Sequence, residues 1–118
     1  MRYGRIYLDT DRRLLVPRAM LATGMLERMR GLLGRKPLGA DEGLLLDPCS
    51  SVHTLGMRYP IDIVFLTAVW RIGRIISDLP PFRAAWHPGA RRALELRAGM
   101  TRELGLSTGQ YLAWEDRD

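Results

Sequence analysis

The chain has 118 residues, of which 47% are hydrophobic and 26% are charged, and its formal net charge is +5. This length suits one domain, and the composition excludes the polar, highly charged regime of disordered chains. The positive charge does not predict a nucleic-acid surface, because arginines are scattered along the whole chain and the tightest clusters, Arg12–Arg13 and Arg91–Arg92, are only pairs. We therefore expect a single folded domain over residues 1–118, with nucleic acid an unlikely partner.

The sequence also predicts a cytoplasmic protein with no membrane association. Cys49 is the only cysteine, so no intrachain disulfide can form, and a reducing compartment fits best. Residues 1–13 mix arginine and aspartate with apolar residues, unlike a secretory signal peptide. Apolar runs such as Ile63–Leu66 are far shorter than the ~20 residues of a membrane span.

The first predicted elements are two short strands and one helix. Arg5–Leu8 and Arg13–Val16 read as strands around a turn at Asp9–Asp11. The next segment, residues 24–33, has helical periodicity, and Thr23 is its predicted N-cap. The apolar residues of this segment share one helical face and predict an amphipathic helix; they are Met25, Leu26, Met29, Leu32 and Leu33.

The remainder of the chain is predicted to be mostly strand. The predicted strands are Gly43–Leu46, Ser51–Leu55, Ile61–Val69, Ile72–Leu79, Arg92–Leu96 and Gln110–Trp114. Ile61–Val69 is taken as the central strand and Ile72–Leu79 as its hairpin partner, with a loop over Pro80–Gly89 and a helical turn over Met100–Leu104. These elements predict a mainly β fold, α+β by content. We expect a small jelly-roll-like barrel or sandwich of about seven short strands with the helix packed across it.

Three local patterns resemble one prokaryotic family. They are Glu27-Arg28-x-x-Gly31-Leu32-x-x-Arg35, His53-Thr54-x-Gly56-Met57-x-x-Pro60-Ile61-Asp62-x-x-Phe65, and Leu94-Glu95-Leu96 before Gly99. Their order and spacing are similar to the domain of unknown function 192 (DUF192) family, from about Leu15 to Trp114. The resemblance implies a jelly-roll-like β fold with a helix, and it implies no established activity. Many members have Trp-Met-Lys-Asn-Thr at the positions of residues 53–57. This chain has His53-Thr54-Leu55-Gly56-Met57 there, as in a branch of the family that looks cytosolic.

Arg28 and Arg35 are the candidate anion-binding residues. They lie seven residues apart with Gly31 between them, so a helix presents them on one face. Two guanidinium groups can grip a carboxylate or phosphate, but the same donors can pair with Asp62 inside the protein. We favour the internal ion pair, because Asp62 stands in an apolar strand and a buried carboxyl group needs a partner.

Cys49, His53 and Asp62 are the candidate catalytic residues. A Cys49–His53 nucleophile or an Asp62–His53 acid–base pair would suit hydrolytic or transfer chemistry. However, an extended segment places the Cα atoms of Cys49 and His53 about 13 Å apart, and Asp62 has no second carboxylate nearby in sequence. His87 is the only other histidine, which leaves too few ligands for zinc, so we expect no metal or other cofactor.

Trp70, Phe82 and Trp86 are candidates for a protein-binding surface, in which His87 would complete an aromatic rim. Glu95, between two leucines, is expected to face solvent or to reach an arginine.

The leading functional hypothesis is a non-catalytic binding domain for a small polar or anionic ligand held between helix 24–33 and segment 53–62. Its predicted ligand-binding residues are Glu27, Arg28, Arg35, His53, Thr54, Met57 and Asp62. The alternatives are an enzyme that uses Cys49 with His53 or Asp62 with His53, and an adaptor in a cytoplasmic protein assembly.

Overall fold

Nine strands and two short helices form over residues 1–117, the part of the chain that the structure, a computed structural model, describes. In chain order they are β1 Arg2–Leu8, β2 Leu14–Ala22, α1 Met25–Arg30, β3 Glu42–Leu46, β4 Ser51–His53, β5 Ile61–Leu66, β6 Ile72–Leu79, β7 Ala84–Trp86, β8 Arg92–Arg97, α2 Met100–Glu103 and β9 Leu112–Asp116. Seven strands form one mixed sheet in the order β6-β5-β8-β3-β2-β1-β9, and β4 pairs with β7. The expected mainly β fold is confirmed.

The large sheet curls until its two edge strands meet at one end. Ile72 donates its backbone N–H to the Gln110 carbonyl at 2.8 Å, and Leu112 donates to the Trp70 carbonyl at 3.0 Å. The two edges share a single bridge, Arg71 to Tyr111, and no continuous ladder. The sheet is therefore not a closed barrel, and the jelly-roll barrel expected from the sequence is not confirmed.

Both faces of the sheet are covered where β5 lies beside β8. Val64 and Leu66 pack into a core that includes Met100 of α2, and we call this side the α2 face. Ile63 and Phe65 point the other way, into a second core that we call the α1 face, because it includes Leu32 just after α1. Every residue of β5 is buried, as expected from its apolar sequence, but β5 is second from the sheet edge rather than central.

The predicted helix 24–33 is shorter and differently oriented than expected. α1 covers Met25–Arg30, its N-cap is Gly24 rather than Thr23, and no residue of the helix is buried. Instead of packing across the sheet, its apolar side chains lie in solvent; their exposed fractions are 69% for Met25, 80% for Leu26 and 67% for Met29. The helix is short because Gly31, with a φ of 50°, ends it, so Leu32 and Leu33 no longer lie on the helical face.

Three other local predictions differ in outcome. The β5–β6 hairpin and the helical turn at α2 are confirmed. β7 was missed inside the predicted loop Pro80–Gly89, since three residues are too few to show an alternating pattern. Neither helix of residues 1–117 has the length and apolar character needed to cross a bilayer.

Candidate functional site

A cavity of about 520 Å³ lies between α1 and the segment that runs from Pro48 to Met57. Its walls are mostly apolar, and two arginines and one histidine stand among them. The lining residues are Arg28, Met29, Arg30, Gly31, Leu32, Leu33, Leu46, Pro48, Cys49, Ser50, Ser51, Val52, His53, Leu55, Met57 and Glu95. An apolar enclosure with a few polar groups is the usual form of a small-molecule site.

Glu95 is the polar group among the apolar residues that line the inner part of this cavity. It lies in β8 on the α1 face, opposite Leu44 of β3 and Ile63 of β5. Its side chain is only 3% exposed, and its Oε1 atom has no hydrogen-bond partner among residues 1–117. A buried polar atom without a hydrogen-bond partner lowers the stability of the fold, so a ligand that forms a hydrogen bond with this atom would remove that cost.

Gly31 keeps the space beside Glu95 free of side-chain atoms. A Cβ atom added at residue 31 would lie 3.5 Å from Glu95 Oε1, in van der Waals contact with that oxygen. The same backbone position has a φ of 50°, which side-chain-bearing residues rarely adopt. The glycine that ends α1 therefore places no side-chain atom against this buried carboxyl oxygen.

Burial changes the protonation of Glu95. It raises the pKa of the Glu95 carboxyl from 4.5 to about 8, and no charged neighbour contributes to the shift. The side chain is therefore neutral at pH 7. The prediction that Glu95 faces solvent or reaches an arginine is wrong, because β8 is covered on both faces. The signal was present in the sequence: apolar residues on both strand faces around Glu95 are typical of a strand buried on both sides.

Arg28 lines the cavity, but it does not make the predicted ion pair. Its Nε donates to the Thr23 carbonyl at 3.2 Å and its Nη1 donates to the Pro48 carbonyl at 3.0 Å. The bond to Pro48 ties α1 to the opposite wall. Arg35 donates its Nε to the Gly31 carbonyl at 3.1 Å and lines an adjoining cavity of about 640 Å³ instead.

Asp62 lies on the other side of the sheet, on the α2 face. Its Oδ1 accepts the backbone N–H of Asp78 at 2.8 Å. Its Oδ2 accepts the backbone N–H and the hydroxyl of Thr101, at 2.9 and 2.7 Å. The predicted pairing of Asp62 with Arg28 or Arg35 is therefore wrong, and so is its predicted place beside His53, because two backbone N–H groups and one hydroxyl from β6 and α2 satisfy this carboxyl group.

Cys49 and His53 both line the cavity, yet neither is arranged as a catalytic pair. The Cys49 thiol donates to the Ser51 carbonyl at 3.0 Å, and burial raises the pKa of the thiol above its ordinary value. His53 Nδ1 accepts the backbone N–H of Leu55 at 3.3 Å. A protonated thiol is a weak nucleophile, so this geometry favours binding over catalysis. Within residues 1–117, no three His, Cys, Asp or Glu side chains are grouped to hold a metal ion.

The other predicted ligand-binding residues have different surroundings. Glu27 lies 3.2 Å from the amino group of Met1, whose hydrogen bond holds the pKa of Glu27 below its ordinary value. Thr54 is fully buried, and its hydroxyl donates to the Pro80 carbonyl at 2.7 Å, which fixes the segment to the loop after β6. Met57 is buried and lines both cavities. Of the seven, Arg28, His53 and Met57 line the first cavity.

Trp70, which was proposed with Phe82 and Trp86 to bind a protein partner, has contacts within residues 1–117 that the other two lack. The Arg92 guanidinium stacks over the Trp70 ring at 4.3 Å, and Trp70 packs against the core of the α2 face. Phe82 and Trp86 are 65% and 60% exposed. No contact of these two side chains indicates a partner, so the adaptor hypothesis stays a prediction.

Comparison with known proteins gives a family and a fold. The family model of DUF192, described as an uncharacterized ACR, matches residues 6–114. A protein of unknown function from Novosphingobium aromaticivorans has a similar structure, with a TM-score of 0.80, 24% identity, and coverage of 95% of this chain and 84% of the other. A second structure, described as a candidate transcription regulator from Sinorhizobium meliloti, has a TM-score of 0.81, 24% identity, and coverage of 96% and 92%. No curated protein matches the chain.

Proposed function

Since the chain belongs to the DUF192 family, whose description gives no activity, we propose from its geometry that it is a non-catalytic binding domain. Its site is the cavity between α1 and the Pro48–Met57 segment, and its ligand is a small molecule with an apolar body and a polar or anionic head group. The observation that carries the proposal is Glu95 Oε1, a buried oxygen with no hydrogen-bond partner among residues 1–117, in a residue that lines a partly open cavity of about 520 Å³.

The rest of the lining supports the same type of ligand. Leu32, Leu46 and Val52 supply apolar wall around the buried carboxyl group. Arg28 and Arg30 stand among the lining residues on α1, where a positive charge favours the approach of an anionic head group. The thiol of Cys49, with its raised pKa, supports binding rather than chemistry. A reducing cytoplasm remains part of the proposal, because Cys49 is unpaired.

The proposal is tested by NMR titration of the uniformly labelled chain with three six-carbon probes: hexanamide, hexanoate and hexylammonium. We expect at least one probe to shift backbone amide signals of α1 and of the segment from Pro48 to Met57 at millimolar concentration. Cys49→Phe should abolish these shifts by filling the cavity, and Cys49→Ala is the matched control that leaves the cavity open. Absence of shifts with all three probes, or shifts confined to another surface, would contradict the proposal.

A further inference from the structure

The surroundings of Glu95 are specific enough to indicate the chemical class of the ligand. Several titratable or charged side chains face the same cavity: Arg28 and Arg30 from α1, and Cys49 and His53 from the opposite wall. Each of them already has another hydrogen-bond partner, namely the Thr23 and Pro48 carbonyls for Arg28, the Leu33 carbonyl for Arg30, the Ser51 carbonyl for Cys49 and the Leu55 N–H for His53. None of these bonds involves the Glu95 carboxyl.

Tyr59 is the remaining titratable group whose charge is coupled to Glu95. Its hydroxyl donates to the Arg35 carbonyl at 3.2 Å, on the side of the adjoining cavity, and burial raises the pKa of Tyr59. Tyr59 is therefore neutral near pH 7 and places no charge beside Glu95. No charged side chain of residues 1–117 bonds to the carboxyl group, and it is only 3% exposed; this burial favours the neutral, protonated form.

A neutral carboxyl group has an O–H donor beside a C=O acceptor. A ligand group satisfies both at once when its carbonyl oxygen accepts the O–H and a neighbouring N–H donates to the C=O. A primary carboxamide or a lactam has this edge, and each of its two hydrogen bonds forms between uncharged partners. An ammonium ligand would instead need an ionised Glu95. A carboxylate ligand beside Glu95 would bring a negative charge to a buried group to which neither Arg28 nor Arg30 bonds.

We propose that Glu95 pairs with a carboxamide-type edge on the ligand, so that the cavity selects small apolar molecules that present an N–H donor next to a C=O acceptor. This inference rests on the proposed binding function and names the ligand class for the same cavity. The walls contributed by Leu32, Leu46 and Val52 take the apolar body. Glu95 lines the same cavity, and residue 31, a glycine, places no side chain between the carboxyl group and the head group.

The test compares hexanamide, hexanoate, hexylammonium and 1-hexanol on the full chain at about pH 6.5 and about pH 9.5. We expect hexanamide to bind most tightly at the lower pH. Its affinity should fall about tenfold or more at the higher pH, because ionised Glu95 loses the donor. Hexanamide does not titrate over this range, so the change belongs to the protein.

Two variants of Glu95 separate a ligand contact from a structural role. Glu95→Gln keeps a donor and an acceptor but cannot ionise, so it should bind hexanamide with the same affinity at both pH values. This variant also controls for titration of Cys49 and Tyr59, which it retains. Glu95→Leu keeps the volume but removes both polar atoms, and it should weaken hexanamide binding about tenfold or more at the lower pH. Both variants remove an unpaired carboxyl group, so thermal unfolding should find them folded.

Three results would overturn the inference. If hexylammonium binds most tightly and gains affinity as the pH rises, Glu95 acts as an anion. If Glu95→Leu binds hexanamide as well as the unsubstituted chain does, the carboxyl group does not touch the ligand, although the binding function stands. If hexanoate alone shifts the cavity signals, the arginines select the ligand and the binding function again stands. Failure of every probe to bind would remove both proposals together.

Discussion

Asp62 and Glu95 are two buried carboxyl groups in neighbouring strands of one sheet, yet their surroundings differ completely. Asp62, on the α2 face, accepts three hydrogen bonds from β6 and α2. Glu95, on the α1 face, has an oxygen with no partner and a cavity beside it. Burial alone therefore does not separate a structural carboxyl group from a candidate binding group. The number of donors that the fold supplies separates them, since a satisfied group has no bonds left to offer a ligand.

The donors around Asp62 come from two irregular places in the backbone. Between its pairings with β5 at Ile76 and Leu79, β6 contains an extra residue, and the N–H of Asp78 there bonds to Asp62 instead of to a strand. α2 begins at Gly99 without a side-chain cap of its own, and Asp62 accepts the N–H of Thr101 in its first turn. Asp62 thus accepts one backbone hydrogen bond from the bulge in β6 and one from the first turn of α2.

The largest expected effect is the pH dependence that Glu95 imposes on stability. The unfolded chain loses the Glu95 proton near the ordinary pKa of 4.5, whereas the folded chain holds it until about pH 8. Between these values the folded state binds more protons, so the free energy of unfolding falls as pH rises and is level above the upper value. The fall amounts to about 5 kcal/mol, at roughly 1.4 kcal/mol per tenfold change in proton concentration.

Glu95→Gln should remove this fall. Urea unfolding of the unsubstituted chain and of Glu95→Gln, between about pH 4 and about pH 9, measures the fall. The difference between their free energies of unfolding should grow with pH. Parallel curves for the two chains would show that the Glu95 pKa is not raised, and the contrast with Asp62 would disappear.

Asp62→Ala should have the next largest effect, a loss of about 3 kcal/mol in the free energy of unfolding. The substitution leaves two buried N–H groups and one hydroxyl without their acceptor. Chemical denaturation at neutral pH measures the loss, with Asp9→Ala, at an exposed turn residue, as the control. Hexanamide binding by the folded fraction should be unchanged, because Asp62 does not line the cavity. A loss below about 1 kcal/mol would contradict the bonding described here.

Thr101→Val tests one of the three bonds to Asp62 separately. It removes the hydroxyl that donates to Oδ2 at 2.7 Å and keeps the backbone N–H that donates at 2.9 Å. We expect a loss of about 1–2 kcal/mol. In a double-mutant cycle with Asp62→Ala the two losses should not add, because they remove the same interaction. Additive losses would mean that the hydroxyl acts independently of Asp62.

The smallest expected effect is on α1. Leu26 is 80% exposed, so Leu26→Ala should change the free energy of unfolding by less than about 0.5 kcal/mol. Met100 of α2 is 6% exposed, and Met100→Ala, the matched change in the other helix, should cost about 2 kcal/mol or more. Thermal unfolding distinguishes the two. Equal losses in the free energy of unfolding would mean that α1 packs its apolar side chains against the sheet, as the apolar periodicity of residues 24–33 predicts.

Sequence reasoning placed the cavity near its observed position but misassigned the polar groups around it. The sequence predicts a site between helix 24–33 and segment 53–62, and the cavity lies between α1 and the segment from Pro48 to Met57, which overlaps the predicted segment only over residues 53–57. Arg28, His53 and Met57 were among the named residues that line it. Glu95 was expected to face solvent or to reach an arginine, although it is the buried polar group there. Glu95 lies in β8, far along the chain, and only strand pairing brings it below α1.

The sequence by itself determined the elements whose signal is local: the β5–β6 hairpin, the turn between β1 and β2 and the helical turn at α2. It also determined the family relationship, through the order and spacing of three motifs. Turn chemistry and apolar alternation act between residues close in the chain, so they can be read directly. Only the tertiary structure decided which carboxyl group is satisfied, because the donors to Asp62 come from residues 78 and 101, and the space beside Glu95 comes from Gly31. These are contacts between distant segments, and no local pattern encodes them.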